Sequence, residues 1–214
     1  YAVGMGGAIS RFSRIFHEQG SDIVVVLGDR LEQFAAAAAA VASGKILAHI
    51  HGGDRATGIT DDSFRHAMTK LSHLHFAASE ESARRIEMLG EDKFRIYRTG
   101  SPAIDGIKKN ICKNITTLRE YVGFDPKEKF LIILLHPSGG TDRKEQRQME
   151  EILSVCSCKS MNKLVLYPNC DPGNSGIIQA IEKYVGRPDF TVVKHLPRGI
   201  YLGLLSRSQG LVGN

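Results

Sequence analysis

Short apolar runs alternate with segments of helical periodicity along the whole chain. Asp22 to Leu27 (ending Ile-Val-Val-Val-Leu), Lys45 to Ile50, His73 to Ala78, Phe94 to Tyr97, Lys129 to Leu135, Leu164 to Tyr167, Phe190 to Lys194 and Leu211 to Asn214 read as strands. Between them Ile9, Phe12, Ile15 and Phe16 fall at helical spacing, and further helices are predicted over residues 31–43, after Thr60 with an apolar face that reaches Leu71, over 80–89, around 145–156 and over 199–206. Thr60 is the predicted N-cap of the helix carrying Asp61 and Asp62 in its first turn; Ser79 caps the next helix, which Gly90 ends. Nearly continuous apolar strands alternating with helices predict an α/β fold, with mostly parallel sheets covered by helices on both faces.

The polar stretch from Lys108 to Asn114 is the best candidate linker, which divides the chain into a first domain over residues 1–114 and a second over 115–214. A length of 214 residues, with 42% hydrophobic and 24% charged residues, suits one large domain or two small ones. No apolar run is long enough to span a bilayer, and Tyr1 to Ser10 lacks the basic region and apolar core of a secretory signal, so a cytoplasmic protein with no membrane partner is expected. Cys112, Cys156, Cys158 and Cys170 match neither a redox pair nor a zinc finger and read as free thiols. A net charge of +5 favours anionic ligands, but the basic residues are scattered and no nucleic-acid motif appears. The charge therefore points weakly to a phosphate-bearing small molecule.

Open α/β sheets bind ligands beyond the carboxyl ends of their strands, which draws attention to the residues found there. Asp29 and Arg30 follow the first strand; Asp29 either faces a ligand or caps the next helix and pairs with Arg30. Residues 49–75 hold five of the eight histidines. If the strand stays extended, His49 and His51 point to the same side, as a metal pair or as hydrogen-bonded acid/base groups. Gly52 and Gly53 then permit a sharp bend that brings Asp54 to the same crevice. On the following helix, Asp61 with Arg65 and Asp62 with His66 are four residues apart and can pair along one face. Further strand-end loops carry Gly100-Ser101-Pro102, His136-Pro137-Ser138-Gly139-Gly140, Pro168 to Gly173 with Asn169 and Asp171, and Asn214.

Taken together, Gly28-Asp29-Arg30, the block from His49 to Lys70, Gly100-Ser101-Pro102, His136-Pro137, Pro168-Asn169-x-Asp171-Pro172-Gly173 and Val212-Gly213-Asn214 closely resemble the UDP-N-acetylglucosamine 2-epimerase family. The resemblance implies two Rossmann-like domains of the glycosyltransferase-B type, with a UDP-sugar between them and no cofactor or metal. His49-Ile-His-Gly-Gly-Asp-Arg55 followed by Asp-Asp-Ser-x-Arg-His looks like the hydrolysing branch, which releases UDP and a free 2-epimerised sugar of the N-acetylmannosamine kind for sialic or legionaminic-type acids. A non-hydrolysing 2-epimerase and a non-catalytic nucleotide-sugar-binding module are the alternatives. By resemblance Asp29, His51, Asp54, Asp61 and His136 are expected to be catalytic. Arg30, Arg65, His66, Asn169, Asp171 and Asn214 are expected to hold substrate. The family also implies a homodimer or homotetramer, and set beside it both domains here read as partial, lacking a first strand and helix and the diphosphate loop after Asn214.

That chemistry requires the residue types present. Removing a sugar C2 proton needs a base, expelling UDP from C1 needs cationic or hydrogen-bonding partners, and returning a proton to the opposite face of C2 needs an acid. Two or more acid/base groups around one ring are thus the minimum.

Overall fold

The structure, a computed structural model, describes residues 2–55 and 60–214; the predicted cap on Thr60 lies outside the described side chains. The chain forms two compact units, Tyr1–Asp105 and Gly106–Asn214. Residues 108–114, read above as a linker, pack within the second unit: the Cys112 N–H donates to Gly199 O at 3.0 Å. A Cβ on Gly199 would lie 2.7 Å from Asn110 O, and one on Gly203 would lie 2.4 Å from Cys112 O. Two glycines of one helix thus admit this backbone segment.

The first unit runs α1 (Ala2–Glu18), β1 (Ile23–Leu27), α2 (Leu31–Ala42), β2 (Ile46–Ile50), α3 (Thr60–Leu71), β3 (Leu74–Ala77), α4 (Glu80–Met88) and β4 (Ile96–Arg98). Its four strands are parallel in the order β1-β2-β3-β4, with Val26 opposite His49 and His49 opposite His75. The alanine run of α2 lets the helix lie close on the sheet: Ala37 and Ala40 are fully buried against Val24, Val26 and Leu47. β1 is not buried on both faces as its composition suggested. Ile23, Val25 and Leu27 are about half exposed, while Val24 and Val26 face the core. The predicted cap on α4 is present, Ser79 Oγ accepting from the Ser82 N–H at 3.1 Å. The chain from Lys93 to Arg95 is a 3₁₀ turn, so the fourth strand begins at Ile96, two residues later than read from the sequence.

The second unit runs α5 (Ile107–Asn110), α6 (Ile115–Val122), β5 (Phe130–Leu134), α7 (Asp142–Ser157), β6 (Asn162–Leu166), α8 (Asn174–Glu182), β7 (Phe190–Val193), α9 (Arg198–Leu205) and β8 (Gly210–Gly213). Its parallel order is β7-β6-β5-β8. Alternate residues of the central strands enter different layers, which is why these strands read as unbroken apolar runs. Ile133 and Val165 pack with Met149, Leu153, Ile177 and Ile181 of α7 and α8. Phe130, Ile132 and Leu164 pack with Leu118, Val122, Ile200 and Leu204 of α6 and α9. Among the described residues no helix is long and apolar enough to cross a membrane.

Candidate functional site

In the first unit the carboxyl ends of β1 and β2 and the helix α3 bring Asp29, His51, Asp54 and Arg65 together. β2 ends at Ile50, and His51 takes φ +68°, a left-handed conformation that few residues other than glycine adopt. The expected extended path, with both histidines on one side, does not hold. The cause is tertiary: Gly53, at φ +76°, lies so close to α4 that a Cβ would sit 2.2 Å from Ser82 O, and the chain must turn early to reach it. Strain at a non-glycine residue in a strand-end loop is a common signature of function.

The two histidines therefore separate. His49 is fully buried, its Nε2 donating to Gly28 O at 2.8 Å and its Nδ1 3.3 Å from the Thr69 hydroxyl. Burial, together with the charges of His75 and Arg65, pulls its pKa down to about 4 despite the bond to Gly28, so it is a neutral strut under the β1 loop. His51 is half-buried, with Nδ1 2.7 Å from Asp54 Oδ2 and Nε2 2.9 Å from Ser101 Oγ. Burial alone would raise the Asp54 carboxyl; the hydrogen bonds from Ser82 (2.5 Å) and His51, with the charges of His51 and Arg65, hold it below the usual carboxylate range. An ionised Asp54 only accepts, so neutral His51 carries its proton on Nδ1.

Asp29 does not cap α2. The N-cap position is Arg30, without a side-chain cap, and Asp29 Oδ2 accepts from Arg65 Nη2 instead. Arg65 is buried on α3, with Nη1 3.7 Å from Asp54 Oδ2 and Nε without a partner among the described residues. One guanidinium thus bridges carboxylates from two strand ends, which fixes both against the helix. Asp61 is half-buried in the first turn of α3, and Asp62 pairs with His66 at 3.6 Å as the spacing suggested. The Arg30 side chain is mostly exposed, with Nε 3.9 Å from Glu32. His75 belongs elsewhere: it is buried near the start of β3 against Glu91, which Lys70 and Arg95 also hold, a structural charge cluster. Among the described residues no group of three or more His, Cys, Asp or Glu is placed to hold a metal ion.

In the second unit the ends of β5, β6 and β8 gather His136, Asn169, Asp171 and Asn214. The His136 N–H donates to Asn214 Oδ1 at 2.7 Å, and Asn214 Nδ2 donates to His136 O at 3.2 Å. His136 Nδ1 accepts from the Asn169 N–H at 3.1 Å, so the neutral ring carries its proton on Nε2. Asn169 Nδ2 donates to Asp171 Oδ2 at 2.6 Å, closing the 168–173 turn on itself.

Residues to which the sequence alone assigns no role complete both sites. Ser82 and Ser101 hold Asp54 and His51, and Arg85 Nη1 donates to Gly53 O at 2.5 Å. Glu145, read as part of a plain helix, is fully buried and its Oε1 accepts from Ser138 N–H, Ser138 Oγ and Gly140 N–H at 2.9–3.0 Å. Burial raises its pKa and these bonds more than reverse the effect, leaving it below the usual range. The available signal was an acid in the first helical turn after a Gly-Gly loop, where capping is the common explanation.

Fold and site together define a doubly wound, parallel α/β protein whose polar groups collect at strand carboxyl ends. The chain matches the UDP-N-acetylglucosamine 2-epimerase family over residues 1–214 and belongs to it. It is 32% identical over 213 residues to the UDP-N,N'-diacetylbacillosamine 2-epimerase (hydrolyzing) of Legionella pneumophila, covering all of this chain and 56% of that protein. It is 31% identical over 210 residues to the UDP-N-acetylglucosamine 2-epimerase of Neisseria meningitidis serogroup B, covering 98% of this chain and 55% of that one. The crystal structure of UDP-GlcNAc 2-epimerase from Neisseria meningitidis bound to UDP-GlcNAc matches 98% of this chain and 58% of its own with a TM-score of 0.82 at 18% identity. That likeness shows the fold, two Rossmann-like domains of the glycosyltransferase-B type. The chain spans about half the length of the curated relatives it matches.

Proposed function

We propose that the full-length protein is a hydrolysing 2-epimerase of UDP-2-acetamido sugars. The observation that carries the reading is His51, held in a strained loop with Nδ1 on an ionised Asp54 and Nε2 on a serine hydroxyl, on the same face as the Asp29–Arg65 pair. The 32% identity to a relative named as hydrolysing supports the branch.

In this reading Asp61 removes the C2 proton as UDP departs from C1, leaving a glycal. His51, charged and steadied by Asp54, returns a proton to the opposite face of C2, and water adds at C1 to give the free 2-epimer. Asp29 positions Arg65, which with Arg30 and His66 holds the sugar and its leaving group. His136, through Nε2–H, and the Asn169, Asp171 and Asn214 loops face the diphosphate, making the second unit, Gly106–Asn214, the nucleotide-binding part and the first, Tyr1–Asp105, the proton-transfer part. The reading carries with it a cytoplasmic homodimer or homotetramer, which light scattering on full-length protein checks.

The test is NMR product analysis of full-length protein in heavy water, with UDP-N-acetylglucosamine and a UDP-diacetamido-trideoxy sugar offered separately. Free 2-epimer carrying deuterium at C2, together with UDP, is the expected outcome. The non-hydrolysing alternative gives an epimerised UDP-sugar instead. UDP binding with neither UDP release nor C2 exchange would leave only a binding module.

A further inference from the structure

Ser101 follows β4 and so far only holds the His51 ring, yet it completes an array. Asp54 Oδ2, His51 Nδ1, His51 Nε2 and Ser101 Oγ lie in sequence, with contacts of 2.7 and 2.9 Å at the two ends of the imidazole. Since Nδ1 carries the proton of the neutral ring, Nε2 accepts from the Ser101 hydroxyl. The Ala103 N–H donates to the same oxygen at 3.2 Å, which fixes the serine with its proton toward His51. Carboxylate, imidazole and hydroxyl in this order are also how serine nucleophiles are activated.

Two uses of such a serine are open, and the next residue separates them. A nucleophile in acyl transfer relies on N–H donors for the developing oxyanion, commonly the N–H of the residue that follows it. Here that residue is Pro102, which has no N–H. A proton conduit needs only a reachable hydroxyl, and Ser101 is half-buried. Direct transfer from His51 Nε2 to a sugar would require the serine to leave; transfer through its oxygen does not.

We propose that Ser101 is the outer member of a proton relay, Asp54–His51–Ser101, whose hydroxyl delivers the proton to C2 of the glycal. The proposal rests on the hydrolysing 2-epimerase reading. In the step, the C1–C2 π electrons form the new C2–H bond with the Ser101 proton, while the Nε2 proton of charged His51 replaces it on Oγ. Water bonds to the cationic C1 and its surplus proton goes to solvent. Ser101 ends unchanged, and His51 ends neutral with Nδ1–H on Asp54.

The experiment compares full-length wild type, Ser101→Ala and Ser101→Thr with a UDP-2-acetamido sugar, following UDP and sugar products separately, with UDP affinity by calorimetry and a thermal melt as checks on folding. Ser101→Ala is expected to release UDP at close to the wild-type rate but to form 2-epimer about 100-fold more slowly, so that glycal accumulates. Ser101→Thr, which keeps the hydroxyl, restores 2-epimer. Wild-type product from Ser101→Ala overturns the relay, as does parallel loss of UDP binding and turnover, which would mark a structural role. A fluorophosphonate adduct on Ser101 also overturns it, in favour of a nucleophile. If wild type itself releases no UDP, the reaction reading fails and takes the relay with it.

Discussion

The two strand-end clusters use histidine in opposite ways. In the first unit His51 sits between a carboxylate and a hydroxyl, both able to change partner or proton, and a second carboxylate lies across Arg65. In the second unit His136 sits on a backbone N–H, and its loop is pinned by the buried Glu145 through two backbone amides and a hydroxyl. Backbone amides do not titrate, so the second cluster presents fixed donors where the first presents exchangeable protons. The same residue type at the same place in an α/β unit thus acquires its chemistry from what lies behind the ring.

The largest effect that would sharpen this contrast comes from Asp54→Asn in full-length protein. The amide leaves the loop shape in place but removes the carboxylate that sets the His51 tautomer. Formation of 2-epimer should fall by about 1,000-fold or more, roughly 4 kcal/mol, with UDP affinity little changed. Equal loss of UDP affinity would break the division between the two clusters.

The next effect concerns stability. His49 has a folded-state pKa of about 4 against about 6.5 when unfolded, so the unfolded chain binds the extra proton first. Its contribution is fully present above pH 6.5 and is lost as the pH falls from there to about 4, amounting to about 3 kcal/mol. His49→Gln, which keeps a donor for Gly28 O, should flatten this part of the curve in urea titrations at successive pH values. His75 is also pulled down by burial, against the pull of Glu91, so the wild-type slope contains both and the difference between wild type and variant isolates His49. An unchanged slope would mean that His49 is not the neutral strut described above.

His136→Ala ranks third. Losing a fixed donor should weaken UDP binding by about 30-fold, roughly 2 kcal/mol, and raise KM with kcat changed far less. A fall in kcat alone would place proton chemistry in the second unit and erase the contrast.

Much of this was legible in the sequence because the fold writes it locally. Most of the parallel strands are apolar runs, and β1, β2, β5 and β8 run into a glycine or a histidine, so these strand ends and most of their polar residues are legible in the sequence. What escaped depends on contacts far apart in the chain. Asp29 beside Arg30 reads as a helix cap, and only the fold reveals that Arg65, on α3, is its partner. His51 reads as the end of an extended strand, because nothing near it announces that Gly53 must fit under Ser82 O. The apolar Ile23, Val25 and Leu27 read as buried on composition, whereas burial depends on what lies across the sheet face. Residues 108–114 read as a linker because they are polar, although the glycines of α9 receive them.

Glu145 gives the smallest expected effect and the finest test. Its Oε1 takes three donors from the loop bearing His136, whereas Oε2 is buried without a partner among the described residues. Glu145→Gln can keep Oε1 as acceptor while removing the charge, so each bond weakens but none is lost. At neutral pH the variant should be about 1 kcal/mol less stable than wild type, with a modest rise in KM, because neutral hydrogen bonds replace charge-assisted ones. The sign with pH is definite. The folded-state pKa is depressed, so the carboxylate's contribution is present above the ordinary glutamate range, near about 4.3, and is lost as pH falls through the lower folded value. The gap between wild type and variant should therefore close on acidification, whereas a mere packing defect would leave it unchanged. A gap independent of pH would show that Glu145 fills space under the loop without anchoring it by charge, and the fixed-donor account of the second unit would then rest on Asn169 and Asn214 alone.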